Sequence, residues 1–183
     1  MNESIYRFSQ RKECFIITLI SITGASGTMG RAAVDQLMKD HENRLRILLR
    51  KTKRGKKAFH RIKKRYGNRA EVIFGDIRNG HDCAELCDGA DYLLHLAAVI
   101  PPQADHDETL TLETNRGGTA NLIRAVLDTG NQTRFIHIST VAVYGNRNEK
   151  HPWGRVGDPR SPVRSMCTDR AKRSRNTASW NPT

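Results

Sequence analysis

The 183-residue sequence predicts an α/β fold built on a doubly wound parallel sheet. Short apolar, β-branched runs alternate with segments of helical period over most of the chain, which is typical of strands joined by crossover helices. The glycine-rich stretch "SITGASGTMGR" (21–31) also lies directly between the first apolar run and the first helical segment. A glycine-rich turn from a strand into a helix is typical of the start of such a sheet.

The first strand and the first helix flank this turn. The run "FIITLISI" (15–22) is short, apolar and rich in β-branched residues, so we expect a buried strand. The stretch "GTMGRAAVDQLMKDH" (27–41) predicts a helix, because apolar residues recur along one face of it. Those residues are Ala32, Val34, Leu37 and Met38.

The later elements continue the alternation. "RLRILLR" (44–50) predicts the second strand, and 55–65 predicts a basic helix with Phe59 and Ile62 on its inner side. The remaining strands are predicted at "AEVIFGD", "DYLLHLAAV" and "TRFIHIST". "HDCAELCDG" predicts a short helix that ends at Gly89, and "TLTLETNRGGTANLIRAVLDTG" a longer one that ends at Gly130. Five strands are therefore recognisable.

The three glycines of the turn predict a phosphate-binding site. Gly24 allows a tight turn, Gly27 allows close approach of phosphates, and Gly30 allows the helix to pack on the strand. Backbone N–H groups and the positive end of the helix then face a pyrophosphate. A glycine triplet alone is a weak signal, but here it follows a strand and opens a helix.

The stretch "TGASGTMG" resembles the T-G-x-x-G-x-x-G motif of the extended short-chain dehydrogenase/reductase family, the NAD(P)-dependent epimerases and dehydratases. Four more stretches resemble motifs of that family in the same order: "FGDIRN", "DYLLHLAAV", "ETNRGGTANLIRAV" and "RFIHISTVAVYG". The resemblance covers about residues 15–160 and implies a Rossmann domain. It also implies redox chemistry on a sugar nucleotide or a related hydroxyl or carbonyl substrate.

Taken with the turn and the end of strand two, the resemblance implies a set of residues around a dinucleotide. They are Gly24, Ala25, Ser26, Gly27, Thr28, Met29, Gly30, Arg50, Asp76, Ile77, Leu96, Ala97, Ala98 and Asn115. Within this set, Asp76 and Ile77 are expected beside the adenine, while Ala97 and Ala98 are expected to line the cofactor.

The end of the second strand favours NADP over NAD, which remains the second choice. NAD enzymes place a carboxylate there to bind the ribose 2′-OH. This chain has Arg50 at that place, followed by Lys51, and a guanidinium suits a 2′-phosphate. The alternative is that Arg50 merely begins a solvated basic loop.

The expected catalytic set is incomplete in this sequence. The family uses a hydroxyl after strand five, which falls on Thr140 with Ser139 beside it, together with a Tyr-x-x-x-Lys pair. The alternative for both hydroxyls is that they cap backbone groups at the strand end. None of the four tyrosines is followed four residues later by lysine. A tyrosine needs a nearby cation to act as a base near neutral pH, so this chain is expected to be an inactive, truncated form without the C-terminal lobe.

The basic tail offers a hypothesis for the missing pair. From Met166 to Lys172, the third base of each codon with the first two of the next permits the reading "VYGSSK", in which the valine is forced. That spelling resembles the family's Tyr-x-x-x-Lys helix, so we hypothesise a frameshift near Val163. The nucleotide sequence from codon 155 onward tests it.

Composition leaves other functions open. The net charge is +12, and residues 44–69 contain 13 Lys or Arg and no acid, which suggests phosphate-bearing partners. A non-catalytic dinucleotide sensor is one alternative, and a nucleic-acid-binding protein that stacks bases on Phe59 and Tyr66 is another. The solvated face of a basic helix is the structural alternative.

Four cysteines without zinc-site spacing predict no metal site and fit reduced thiols in a cytoplasmic protein. No apolar run reaches the roughly 18 residues of a membrane span. Three regions are predicted: an N-terminal extension over 1–14, a dinucleotide-binding domain over 15–145 and a disordered basic tail over 146–183. The sequence does not indicate an oligomeric state.

Overall fold

Five parallel strands form one sheet in the computed structural model of the chain, which describes residues 17–130, 132–144, 152–154 and 156–157. The strand order is β3-β2-β1-β4-β5. The strands are β1 (Thr18–Thr23), β2 (Asn43–Leu49), β3 (Ala70–Phe74), β4 (Tyr92–His95) and β5 (Arg134–His137). The predicted doubly wound parallel sheet with five strands is therefore confirmed.

Helices connect the strands on both faces of the sheet. They are α1 (Thr28–Leu37), α2 (Lys53–Tyr66), α3 (Gly80–Cys87), α4 (Gln103–His106), α5 (Glu108–Leu112) and α6 (Thr119–Asp128). Side chains that precede three of them accept a hydrogen bond from the first turn, because helix N-termini leave N–H groups unpaired: Thr52, Asn79 and Asp107.

The segment between β4 and β5 differs from the single helix that was predicted. A π-helical turn (Glu113–Gly118) joins α5 to α6, and the short helix α4 precedes them. The turn contains Gly117 and Gly118, and glycine weakens the preference for a regular α-helix. A Cβ on Gly118 would lie 2.5 Å from Cγ1 of Ile77, so this backbone passes close to the loop that follows β3.

The inner face of α1 also differs at one position. Gly30, Val34 and Met38 are buried at intervals of four residues, whereas Ala32 is exposed. Gly30 sets this orientation, since a Cβ there would lie 2.2 Å from the carbonyl oxygen of Gly24. Ala32, two residues along the helix, therefore points away from the sheet.

Each face of the sheet packs against its own helices. Toward α1 and α2, β1 contributes Ile20 and Ile22, which pack with Val34 and Ile62. Toward α3 and α6, the buried side chains are Leu48, Ile73, Cys83, Leu86, Cys87, Leu93 and Leu122. Since successive side chains of a strand point to opposite faces, the polar Ser21 and Thr23 face the second side.

Cys83 and Cys87 belong to this second core and are fully buried thiols. Burial raises the pKa of Cys83 to about 12 and that of Cys87 to about 11. Both side chains are therefore neutral packing groups at neutral pH.

Two predictions concern parts of the chain outside the described residues: the extension over 1–14, and most of the tail together with its frameshift. The division into three regions stays a prediction. Within the part of the chain that the structure describes, no helix is long and apolar enough to cross a membrane.

Candidate cofactor-binding site

A cleft of about 520 Å³ lies at the carboxyl ends of the strands. It is centred between β1 and β4. The strand order reverses there, because β2 and β3 lie on one side of β1 while β4 and β5 lie on the other. Open α/β sheets bind ligands at this switch point. The volume falls in the usual range of ligand pockets, about 300–1,000 Å³.

The glycine turn forms the centre of one wall. Gly24 has φ of +77°, and a Cβ on it would lie 2.7 Å from the backbone nitrogen of Ala97. The turn therefore needs glycine both for its left-handed conformation and for its contact with the segment after β4. The N–H of Gly27 donates to the carbonyl oxygen of Gly24 at 2.9 Å, which closes the turn.

Helix α1 begins at this turn without a side-chain cap. Gly27 stands at the cap position, and no acidic residue stands in the first turn of the helix. Ser26, Gly27, Thr28 and Met29 line the cleft. No side chain caps the backbone N–H groups at the positive end of this ten-residue helix. Such N–H groups fit the pyrophosphate of a dinucleotide.

Two arginines line the cleft where β2 ends. Arg50 follows the strand directly, and Arg54 lies in the first turn of α2. The Nε of Arg54 donates to the carbonyl oxygen of Ser26 at 3.0 Å, so α2 is tied to the glycine turn. Among the described residues, none makes a hydrogen bond or ion pair with the two terminal nitrogens of Arg54, Nη1 and Nη2.

Sequence reasoning missed Arg54 and also missed Gly55. A Cβ on Gly55 would lie 2.0 Å from the carbonyl oxygen of Arg50, so only glycine lets α2 start this close to β2. The hydroxyl of Thr52 accepts from the N–H of Gly55 at 3.1 Å and fixes the same turn. The available signal was a glycine within a strongly basic helical segment.

The loop after β3 supplies Asp76 and Ile77. Burial tends to raise the pKa of Asp76, but hydrogen bonds from Arg78 and the charges of Arg78 and Arg50 outweigh it, so this pKa is lowered. Arg78 Nη2 lies 3.0 Å from Oδ2 of Asp76. Among the described residues that line the cleft, Asp76 alone carries a carboxylate, and Arg78 already pairs with it.

The segment after β4 forms the opposite wall through Leu96, Ala97 and Ala98. Two residues of the predicted set do not line the cleft. Ala25 is fully buried under the glycine turn. Asn115 is also fully buried, and its amide exchanges two hydrogen bonds with the backbone of Val99, at 2.8 and 2.9 Å.

The predicted hydroxyls lie at the β5 end of the same cleft. Ser139 and Thr140 both line it, next to Ile138, whose N–H donates to the carbonyl oxygen of His95 at 3.1 Å. The structure therefore brings together 14 of the 16 predicted site residues. Lining residues that the sequence did not predict include Thr23, Thr52, Arg54, Val99, Gln103 and Thr114.

The two aromatic residues proposed to stack bases face the domain. The ring of Phe59 packs 5.4 Å from that of Phe74, and the hydroxyl of Tyr66 donates to Asp35 Oδ1 at 2.6 Å. Burial and this hydrogen bond raise the pKa of Tyr66. Both side chains are therefore partly occupied by contacts within the domain.

The family is decided by a direct match. Residues 20–166 match the model of the NAD dependent epimerase/dehydratase family. The chain belongs to that family. This epimerase/dehydratase match begins inside β1 and covers the other four strands and the whole cleft described above, so the resemblance of the motifs is confirmed. The family binds an NAD(P) dinucleotide, and the cleft is the candidate site for it in this chain.

The curated relatives that the chain resembles include two dehydrogenases. The chain is 29% identical over 113 residues to human 3 beta-hydroxysteroid dehydrogenase type 7, covering 61% of the chain and 30% of the relative. It is 30% identical over 108 residues to the L-arabinose 1-dehydrogenase (NAD(P)(+)) of Haloferax volcanii, covering 59% and 35%.

Solved structures confirm the fold. The UDP-Glc/GlcNAc 4-epimerase of Campylobacter jejuni superposes with a TM-score of 0.75 at 23% identity, over 88% of this chain and 47% of that one. The dTDP-glucose 4,6-dehydratase DesIV of Streptomyces venezuelae, solved with NAD bound, superposes with a TM-score of 0.74 at 24% identity, over 87% and 50%. The chain thus spans about half the length of these structures.

Proposed function

We propose that this epimerase/dehydratase chain binds a nicotinamide dinucleotide in the cleft and prefers NADP to NAD. The observation that carries the preference is the pair Arg50 and Arg54 on the cleft wall where β2 ends. An NAD-binding site would favour a carboxylate at that place, and residues 44–69 contain none. Asp76 does not replace it, because Arg78 already pairs with its carboxylate.

A bound dinucleotide would be held at three points. The turn 24–27 and the first turn of α1 would bind the pyrophosphate, and Ile77 with Asp76 would flank the adenine. Arg50 and Arg54 would bind the 2′-phosphate through charge-assisted bonds, with the Ser26 contact holding the guanidinium of Arg54 in place.

The experiment is a pair of titrations of the full chain with NADPH and NADH, followed by the fluorescence of the reduced nicotinamide. Hydrogen bonds to charged groups contribute about 1.5–3 kcal/mol each. Both arginines are exposed to solvent, which weakens their bonds to a phosphate. We therefore expect NADPH to bind about tenfold more tightly than NADH, whereas buried arginines would give a difference of about a hundredfold. The preference should shrink as salt rises. Equal affinities would rule out the NADP preference while leaving dinucleotide binding intact.

For the whole protein we propose redox chemistry on a sugar nucleotide or a related hydroxyl or carbonyl substrate. Ser139 and Thr140 would hold the substrate oxygen at the β5 end of the cleft, where the nicotinamide would supply or accept a hydride. The 183 residues contain no Tyr-x-x-x-Lys pair to move the proton, so we expect this chain to bind the cofactor without turnover.

A non-catalytic dinucleotide sensor is the second candidate, and the same missing pair favours it. Turnover assays with NADP and a panel of sugar nucleotides separate the two. The reading frame is then repaired so that a tyrosine and a lysine are restored. If the chain binds NADPH tightly without turnover both before and after the repair, it is a sensor. Turnover after the repair would support the enzyme.

A further inference from the structure

His95 lies outside the cleft at the end of β4, fully buried, in register with Thr23 on β1. Each of its ring nitrogens meets a threonine hydroxyl. Nδ1 lies 2.7 Å from Oγ1 of Thr23, and Nε2 lies 2.8 Å from Oγ1 of Thr119 on α6. The ring also packs beside that of His137, with centroids 5.2 Å apart.

The other partner of the Thr119 hydroxyl indicates the direction of its bond to the ring. The hydroxyl of Thr119 donates to the carbonyl oxygen of Asn115 at 3.0 Å, so its oxygen accepts from Nε2–H of His95. The other ring nitrogen, Nδ1, pairs with the hydroxyl of Thr23. The oxygen of Thr23 in turn accepts the N–H of Ala97 at 3.2 Å.

These bonds form a closed circuit that begins and ends on the cleft wall. From Ala97 it runs through Thr23, His95 and Thr119 to Asn115. From Asn115 it returns to Val99, two residues after Ala97, through the two hydrogen bonds of the Asn115 side-chain amide. We define residues 96–99 as the β4 wall, and all four line the cleft.

We infer that His95 is a positioning residue for the dinucleotide, which holds the β4 wall in register with the glycine turn through this circuit. The tolerance there is small, because a Cβ on Gly24 would already lie 2.7 Å from the nitrogen of Ala97. Buried polar networks with every member paired fix a unique geometry, and a member left unpaired is unfavourable. The inference rests on the proposed dinucleotide binding.

The experiment compares variants of the full chain by NADPH affinity and by Tm. His95→Leu removes both bonds of the ring, and Thr119→Val removes the far end of the circuit without touching the cleft. Leu93→Ala is the matched control, since Leu93 is fully buried on the same strand and face. We expect the first two variants to raise the NADPH Kd about tenfold or more, and the control to lower Tm while the Kd stays within about twofold.

His95→Gln adds a rescue, because its amide can donate to Thr119 in place of Nε2–H. It should recover part of the affinity that His95→Leu loses. If His95→Leu and Thr119→Val bind NADPH as the original chain does, His95 is a packing residue and the inference is wrong. The inference is equally wrong if Leu93→Ala weakens binding as much as they do.

A readout without ligand separates this inference from the proposed function. Amide hydrogen exchange of Ala97 and Val99 should speed up at least tenfold in His95→Leu and Thr119→Val, and remain slow in Leu93→Ala. If the original chain binds no dinucleotide but the exchange changes as expected, the proposed function fails while the circuit stands. Unchanged exchange at both amides would contradict the circuit itself.

Discussion

Gly55 and Arg50 are packed so closely that a Cβ on Gly55 would lie 2.0 Å from the carbonyl oxygen of Arg50. The start of α2 is therefore fixed against the end of β2, and the side chains of Arg50 and Arg54 both reach the cleft from this turn. One small residue thus determines where the positive charge of the basic helix meets the candidate ligand.

The first prediction concerns that contact. Gly55→Ala should destabilise the domain by about 1–3 kcal/mol, because the added methyl group meets backbone that cannot rotate away. An alanine inside a helix is ordinarily favourable by about 0.5–1 kcal/mol, so the sign is reversed. Urea unfolding measures it. Gly117→Ala is the control, since a Cβ there meets nothing within 4 Å, and it should be neutral or mildly stabilising. Equal effects of the two substitutions would contradict the packing argument.

The second prediction separates the two arginines from the rest of the basic helix. Arg54→Met should weaken NADPH binding about tenfold and NADH binding by much less, because it removes charge-assisted bonds to the 2′-phosphate. Lys57→Met removes one exposed charge from the same helix without lining the cleft, and should leave the NADPH-to-NADH ratio unchanged. A similar change of ratio in both variants would point to a general charge effect instead.

The third prediction concerns the glycine turn. Gly24 and Gly89 both have positive φ, +77° and +64°, but a Cβ on Gly89 meets nothing within 4 Å. Gly89→Ala should therefore show only the backbone strain of about 1–2 kcal/mol. Gly24→Ala adds the contact with Ala97, so it should be less stable than Gly89→Ala and should bind NADPH much more weakly. Chemical denaturation and the NADPH titration measure the two effects, and retained binding in Gly24→Ala would refute the role of the turn.

The fourth prediction follows from the buried thiols. The folded-state pKa values of Cys83 and Cys87, about 12 and about 11, lie above the ordinary 9.0. Their contribution to stability is complete below pH 9 and is lost as pH rises toward the folded values. The loss is roughly 1.4 kcal/mol per pH unit for each thiol. Between pH 9 and 11, the free energy of unfolding measured in urea should fall less steeply for Cys87→Ala than for the original chain. Identical slopes would contradict the raised pKa of Cys87.

Local sequence patterns predicted the sheet and most of the cleft. The glycine triplet and the apolar runs depend on interactions between near neighbours along the chain, which a sequence displays directly. Arg50 could be placed because it directly follows the second predicted strand, where a dinucleotide's ribose is bound. Asp76 and residues 96–98 could be placed because their stretches resemble family motifs, whereas Val99 was not predicted.

The misses involve contacts that hydrophobic periodicity does not display. Arg54 was missed because its role depends on Ser26, 28 residues away. Asn115 was expected to contact the cofactor, but its amide is instead committed to Val99, which no local pattern indicates. Ala32 was placed on the wrong face because the clash between Gly30 and Gly24, rather than hydrophobicity, sets the rotation of α1.

The π-helical turn Glu113–Gly118 has a consequence for insertions and deletions. Thr114, just before Asn115, lines the cleft, whereas Thr119, directly after the turn, faces away from it toward His95. Each residue of an α-helix advances the direction of the side chains by roughly 100°. Removing one residue between Glu113 and Gly118 would rotate α6 by that angle relative to α5 and turn Thr119 away from the imidazole. At its exposed positions, Glu113 and Arg116, this segment should therefore tolerate changes of side chain far better than changes of length.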